Sequence, residues 1–335
     1  MQIDGPPRAH NAGTSPPSGI TARTNTVPAG VEYHRVLAGE KRQIGRGLLA
    51  IVLLVGGMWA MFLSFAVLAR WLDQTFGIPQ SADGRGLLTP NMHAFGLLAT
   101  GLVIPWSMVI QRWLYGVPGA SLHSVFSRFR LDLFARALFV IAPAFVCLNV
   151  VSNYILPAES TAWVQSDLLW MLAVTLLLMP LQAAGEEYGI RGLIFRVAGS
   201  WGRGPRSSLV LGIAVSTVVF ASIHLASNPW LYLWYFILAV SAALITWRTG
   251  GIEIAVVIHA AFNTLSFVFA IAMSSDLAGG LDRSVNNAAT GISMITPSLV
   301  VIATVVAVWF RTRHTGPVTT PVIDSQRAEG STLQS

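Results

Sequence analysis

Eight long apolar segments constrain this chain more than any other feature of its sequence. An apolar run of about 18 or more residues is long enough to cross the hydrocarbon core of a bilayer as a helix. Charged residues make up only 11% of the chain, against about 25% in soluble domains. We therefore predict an all-α, polytopic transmembrane bundle of about eight spans, at residues 48–69, 93–111, 133–154, 168–190, 208–226, 231–247, 252–273 and 291–310.

The regions outside these spans differ sharply in composition. Residues 1–40 are rich in Pro, Gly, Thr and Ser and contain no apolar run, and residues 315–335 resemble them. Segments of this kind cannot bury enough apolar surface to fold. We predict two disordered cytoplasmic tails flanking a transmembrane domain at 41–314.

Loop charges predict the orientation. Arginine and lysine are concentrated in alternate loops, whereas the remaining loops contain mostly acids, such as Asp73, Glu159 and Asp276. By the positive-inside rule, both termini face the cytoplasm. The short loops favour a bacterial plasma membrane. The basic loop residues are Lys41, Arg42, Arg46, Arg112, Arg128, Arg130, Arg196, Arg203, Arg206, Arg248, Arg311 and Arg313.

Two functional classes are disfavoured by composition. The net charge of +6 is spread through short loops and forms no basic stripe, so it indicates contact with anionic lipid rather than nucleic acid. Cys147 is the only cysteine, which excludes a disulfide framework and a site of several thiolates.

Ionisable side chains inside a membrane are costly, and they are functional candidates for that reason. The fourth span ends in a Gly-Glu-Glu-Tyr-Gly-Ile-Arg sequence. Glu187 and Arg191 are four residues apart and can pair on one helix face. Glu186 points about 100° away from them and is a candidate general base. The alternative is a plain interfacial charge cluster at the end of a span.

Three more polar residues lie in later spans. His224 follows Phe220 by four residues, and His259 precedes Asn263 by four, which places that imidazole and carboxamide on one face. Each could simply tie helices together by hydrogen bonds. Jointly with Glu186, they form a set suited to amide hydrolysis.

The sequence leaves two versions of this chemistry open. In one, His224 and His259 bind Zn²⁺, which polarises a water or a carbonyl. In the other, Glu186 activates water without a metal, while His259 and Asn263 stabilise the oxyanion. A single site requires that Glu186 and His224 share a depth. The predicted span limits separate them by about 10 Å or more.

The three motifs resemble those of a known family. Glu186-Glu187-x-x-x-Arg191, Phe220-x-x-x-His224 and His259-x-x-x-Asn263 are similar to the signature motifs of the CPBP intramembrane proteases, also called the Abi or CAAX-protease-like family, which includes the Rce1-type CAAX endopeptidases. The resemblance covers about residues 120–273. It implies that Glu186, His224, His259 and Asn263 are catalytic and that Glu187, Arg191 and Phe220 support them. It also implies a cavity open to the cytoplasm.

We accordingly expect a membrane-embedded hydrolase that cleaves a membrane protein or lipidated peptide near the cytoplasmic surface. One rival is a non-catalytic scaffold or bacteriocin-immunity-type protein with the same fold, which has no evident need for buried charges. The other is a proton-coupled transporter, for which broken helices in corresponding halves are expected. We see none in the sequence.

Overall fold

The computed structural model describes residues 26–78, 88–155, 160–277, 283 and 289–322. Helices are the regular elements of these residues, and the β-pairing within them is limited to isolated bridges. The all-α prediction is therefore confirmed. The α-helices are α1 (Ile44–Thr75), α2 (Pro90–Gly101), α3 (Val103–Tyr115), α4 (Leu131–Ile155), α5 (Gln165–Glu187), α6 (Phe195–Gly199), α7 (Pro205–Ile223), α8 (Pro229–Thr249), α9 (Glu253–Ala272) and α10 (Ala289–Thr312).

Eight helical segments of the described chain are long and apolar enough to cross a membrane. Helices α2 and α3 form one of them, and α5 continues through a π-helix (Tyr188–Ile194) into α6 to form another. The number of spans agrees with the prediction. The fourth differs in length, because it ends at Gly199 rather than at residue 190.

The loops that carry the arginines lie together. The Tyr33 hydroxyl donates a 2.5 Å hydrogen bond to the Leu122 carbonyl, and Ser124 forms a β-bridge with Gly251. These contacts join loops that are distant in sequence but were assigned to one side by their charge. We call this surface the arginine-rich face. It is formed by residues 26–43, 116–130, 200–204, 250–252 and 313–322. Its cytoplasmic location remains a prediction.

Parts of the two predicted tails are packed against the bundle. The Val31 N–H donates to the Thr320 hydroxyl oxygen, the Thr320 N–H donates to the Val31 carbonyl, and the Trp247 indole donates to Glu32 over 3.1 Å. Tyr33 is completely buried. A few apolar anchors thus hold segments whose overall composition predicted disorder. The rest of both tails, residues 1–25 and 323–335, lies outside the described residues.

Burial within α9 differs between its two halves. Residues 253–261 are all buried, whereas residues 262–270 are all partly exposed. The buried half points toward the arginine-rich face. A side chain near the middle of α9 is therefore shielded by protein on the side of the arginine-rich face and is more exposed toward the other end of the helix.

Candidate active site

The long fourth span brings the predicted site residues to one depth. Helix α5 passes directly into the π-helix and then α6. The helix therefore continues for about 20 Å beyond Glu186 before the span ends. The predicted end at residue 190 was wrong because the polar side chains there are buried within the bundle instead of reaching an interface. Arg191, for example, is fully buried.

Glu186 faces both histidines. Its Oε2 lies 3.9 Å from Nε2 of His224, at the end of α7, and 3.7 Å from Nε2 of His259, within α9. All three side chains are shielded, with 4–13% of their surface exposed. The structure thus unites three motifs from three spans in one site, as the single-site hypothesis requires.

The other ring nitrogens fix the tautomers. Nδ1 of His224 lies 2.6 Å from the Phe220 carbonyl oxygen, and Nδ1 of His259 lies 2.8 Å from Oε1 of Glu187. A carbonyl or carboxylate oxygen only accepts hydrogen bonds, so both Nδ1 atoms bear the hydrogen. In a neutral imidazole, Nε2 then presents a lone pair. Both lone pairs are directed at the Glu186 side.

Three acceptor atoms, Oε2 of Glu186 and Nε2 of both histidines, therefore surround one position. Oε2 of Glu186 is buried and has no hydrogen-bond partner among the described residues. A buried polar atom of this kind is normally satisfied by a protein group, a water or an ion. The position between Glu186, His224 and His259 accordingly suits a hydrogen-bond donor, such as water, or a cation.

The donor set is chemically acceptable to zinc, which binds imidazole and carboxylate. The spacing is less suitable. Ligands of a tetrahedral zinc at about 2.0–2.1 Å are roughly 3.3 Å apart, which is shorter than both distances from Glu186. In the described chain, no group of three or more His, Cys, Asp or Glu is arranged to hold a metal without movement.

Glu187 and Arg191 form a buried ion pair beside the site. Nη1 of Arg191 lies 3.1 Å from Oε1 of Glu187, and both side chains are completely buried. The guanidinium also packs on the Phe220 ring, 4.4 Å from its centroid. Glu187 therefore has two partners, the guanidinium on its own span and the His259 imidazole on α9. The three residues implied as supporting are all in place around the histidines.

Two hydrogen bonds through Gln182 link Asn263 to Glu186, and Gln182 was not among the residues predicted from the sequence. Nδ2 of Asn263 donates to Oε1 of Gln182 over 3.2 Å, and Nε2 of Gln182 donates to Oε1 of Glu186 over 2.5 Å. Gln182 lies one helical turn before Glu186 on the same face. That i, i+4 spacing was the available signal.

A second buried ion pair anchors the start of α9, and it too was missed. Glu253 is completely buried and accepts from the Arg130 backbone N–H, Nε and Nη2 over 2.7–3.0 Å. Glu253 begins the helix that carries His259 and Asn263. Nothing local in the sequence pairs it with Arg130, which is more than a hundred residues earlier.

An apolar cavity adjoins Glu186 between α1 and the end of α7. Glu186 is the only charged side chain in its lining as described. The cavity is small, with room for about one water molecule, and it places apolar side chains beside the carboxylate within the transmembrane region. The other lining residues are Leu54, Val55, Met58, Val103, Gly189, Ile190 and Ile223.

Comparisons with known proteins agree with these motifs. Residues 165–265 match the family model for type II CAAX prenyl endopeptidase Rce1-like proteins. This stretch contains all four predicted catalytic residues, so the match confirms the family resemblance. The chain is also similar to the uncharacterized protein YyaK of Bacillus subtilis (strain 168), with 29% identity over 118 residues, 35% of this chain and 39% of that protein. No solved structure matches the chain.

Proposed function

We propose that this protein is an intramembrane endopeptidase of the CAAX-protease type. It hydrolyses a peptide bond in a membrane-associated protein or a lipidated peptide. The observation that carries the proposal is the approach of Glu186 to His224 and His259 around a buried position at which the described residues place no hydrogen-bond donor. A water at this position would donate to Glu186 and lie beside both imidazoles.

In the reaction, Glu186 removes a proton from this water while the water oxygen attacks the scissile carbonyl carbon. The carbonyl π electrons move to the oxygen, which becomes an oxyanion. When the tetrahedral intermediate collapses, the C–N bond breaks, and Glu186 returns the proton to the leaving amine. The products are a new carboxyl terminus and a new amino terminus.

Asn263 and His259 support the developing negative charge. One Nδ2 hydrogen of Asn263 is given to Gln182, and the amide has a second hydrogen available for the oxyanion. His259, held by Glu187, donates from Nε2 to the oxyanion when its imidazole has already taken up a proton from solvent before the water attacks. If the reaction uses zinc, His224 and His259 are the residues that would hold it, and the ion would supply Lewis acidity to the water or carbonyl.

The lining of the cavity supports an apolar substrate. Seven of its residues are apolar or glycine, and they lie between α1, α3, the π-helix and the end of α7. Because the cavity has room for only about one water, a lipid chain or an apolar peptide segment would enter only after the helices around it separate. A charged peptide would in addition lose its hydration there. Selection for a prenylated cysteine would depend on the shape of this cavity.

We propose that the reaction takes place in a bacterial plasma membrane, on the cytoplasmic side; the charges of the loops support this orientation. A buried layer containing Tyr33, Leu122, Tyr188 and Ile252 lies toward the arginine-rich face. Direct entry through that face would have to disrupt this layer. The family resemblance implied a cavity open to the cytoplasm, but among the described residues this layer covers that side. We therefore expect substrate to enter sideways from the bilayer, between α1 and α7, whose residues line the cavity.

Terminal-peptide profiling of membranes tests the proposal. Cells would make wild type, Glu186→Gln or the lipid-facing control Leu177→Ala, whose side chain is 74% exposed, at matched levels. We expect new protein termini with wild type and the control, and none with Glu186→Gln. Identical profiles from all three, with Glu186→Gln still rescuing a deletion phenotype, would favour the non-catalytic scaffold.

A further inference from the structure

Gln182 connects two residues of the site that do not contact each other directly. It receives a hydrogen bond from Asn263 on α9 and donates one to Glu186 on its own helix. The 2.5 Å contact with Glu186 is short, as expected when the acceptor is a carboxylate. A glutamine within a transmembrane helix requires such partners, since lipid offers none.

The direction of the two hydrogen bonds that link Asn263, Gln182 and Glu186 is determined by the Glu186 carboxylate. A carboxylate has no hydrogen to donate, so Gln182 must present its NH₂ group to Glu186. Its carbonyl oxygen must then face Asn263, which must in turn present its own NH₂ group. The carboxylate of Glu186 therefore determines which atom of each amide, oxygen or nitrogen, faces its neighbour in both Gln182 and Asn263.

We propose that Gln182 is a positioning residue that orients the Glu186 carboxylate and the Asn263 amide together. This inference rests on the proposed function. By occupying Oε1, Gln182 leaves Oε2 of Glu186 directed at His224 and His259. By accepting one hydrogen of Asn263, it turns the remaining N–H toward the reacting carbonyl. One side chain therefore aligns the base with the oxyanion donor.

The first test compares Gln182→Met, wild type and Leu177→Ala in detergent, with a synthetic peptide that spans a cleavage site found by terminal-peptide profiling as the substrate. Methionine is similar in size to glutamine but forms neither hydrogen bond. Misplacement of a catalytic group by about 1 Å costs on the order of 100-fold in rate. We expect kcat to fall by about that factor and KM to stay within about twofold of wild type. An unchanged kcat, or a change confined to KM, would overturn the proposal.

The second test does not depend on proteolysis. A double-mutant cycle of Gln182→Met and Asn263→Leu is measured by thermal unfolding of the purified protein. Gln182→Met strands the Asn263 amide and Oε1 of Glu186, and Asn263→Leu strands the Gln182 carbonyl. The double variant strands only Oε1 of Glu186, because both partners of the Gln182–Asn263 bond are gone. We expect the fall in melting temperature of the double variant to be clearly smaller than the sum of the falls of the two single variants.

The two tests separate the possible failures. Additive losses in the cycle would show that no hydrogen-bonded link exists, and the positioning role would be overturned. If wild type cleaves nothing, or if Glu186→Gln cleaves as well as wild type, the proposed function fails, while a non-additive cycle still supports the link. A fall in kcat together with a non-additive cycle supports both.

Discussion

Nδ1 of His259 lies 2.8 Å from Oε1 of Glu187, so a glutamate of the fourth span orients an imidazole of the seventh. The same carboxylate is paired with Arg191. A partner of this kind fixes the tautomer and ring orientation of a histidine. The adjacent glutamates therefore have different surroundings: Glu186 faces the open position between the histidines, and Glu187 holds one of those histidines in place.

The first prediction concerns this buried pair. Glu187→Gln should leave the Arg191 guanidinium buried without its ion-pair partner, and breaking a buried pair in this way typically costs about 3–5 kcal/mol in the free energy of unfolding. Unfolding in detergent, followed by circular dichroism, measures the loss. Arg136→Gln is the control, because the Asp132–Arg136 pair has the same spacing but is largely exposed. Equal melting temperatures for the two variants would contradict the structural role of Glu187.

The second prediction concerns the close approach of α5 to α2. A Cβ at Gly185 would overlap the Thr100 carbonyl oxygen, so Gly185→Ala should destabilise the protein by about 1–3 kcal/mol and displace Glu186. Gly56→Ala is the matched control, since nothing lies within 4 Å of its added Cβ. We expect that variant to be neutral or slightly more stable. A Gly185→Ala protein as stable as wild type would rule out this contact.

The third prediction uses a histidine outside the spans. Burial lowers the pKa of His34 to about 4 from its ordinary value of 6.5. The unfolded chain then binds more protons between pH 6.5 and 4, so His34 reduces stability progressively as the pH falls through this range. His34→Phe removes this term and should flatten the decline of melting temperature from pH 7 to pH 5. A decline as steep as that of wild type would contradict it.

The fourth prediction concerns metal. Glu186 is too far from the histidines to serve as a third zinc ligand beside them, and the described residues offer no other group of three ligands. We therefore expect cleavage to proceed with water and the side chains alone. Activity should then survive dialysis against 1,10-phenanthroline, and elemental analysis of the purified protein should give well under one zinc per chain. Loss of activity with chelator, restored by added zinc, would instead support the zinc version held by His224 and His259.

Much of the architecture could be predicted because it follows from local patterns. The length of each apolar run determined the spans, and the four-residue spacing of His259 and Asn263 correctly indicated a shared helix face. The end of the fourth span could not be predicted in this way. Glu187 and Arg191 look interfacial in sequence, and only their burial against α7 and α9 shows why the helix continues beyond them.

Most of the unpredicted features depend on distant partners, and only the contact of Gln182 with Glu186 had a local signal, its four-residue spacing. Gln182 is inconspicuous until Asn263 and Glu186 are seen on either side of it. Tyr33 lies in a segment with the composition of a disordered tail, yet its ring packs 3.8 Å from the buried Arg196 guanidinium. No local rule links residues so far apart in the chain, so such contacts appear only once the helices are packed.

The most direct test of the central claim follows water into the product. Purified wild type and Glu186→Gln would each be incubated in H₂¹⁸O with membranes from cells that lack the protein, and new carboxyl termini would be analysed by mass spectrometry. Wild type should produce termini that contain one ¹⁸O atom. Glu186→Gln, folded with an unchanged melting temperature, should produce less than about 1% as many, because a lost general base costs about 10²–10⁴-fold. Labelled termini at the wild-type rate from Glu186→Gln would contradict the role of Glu186 as the base.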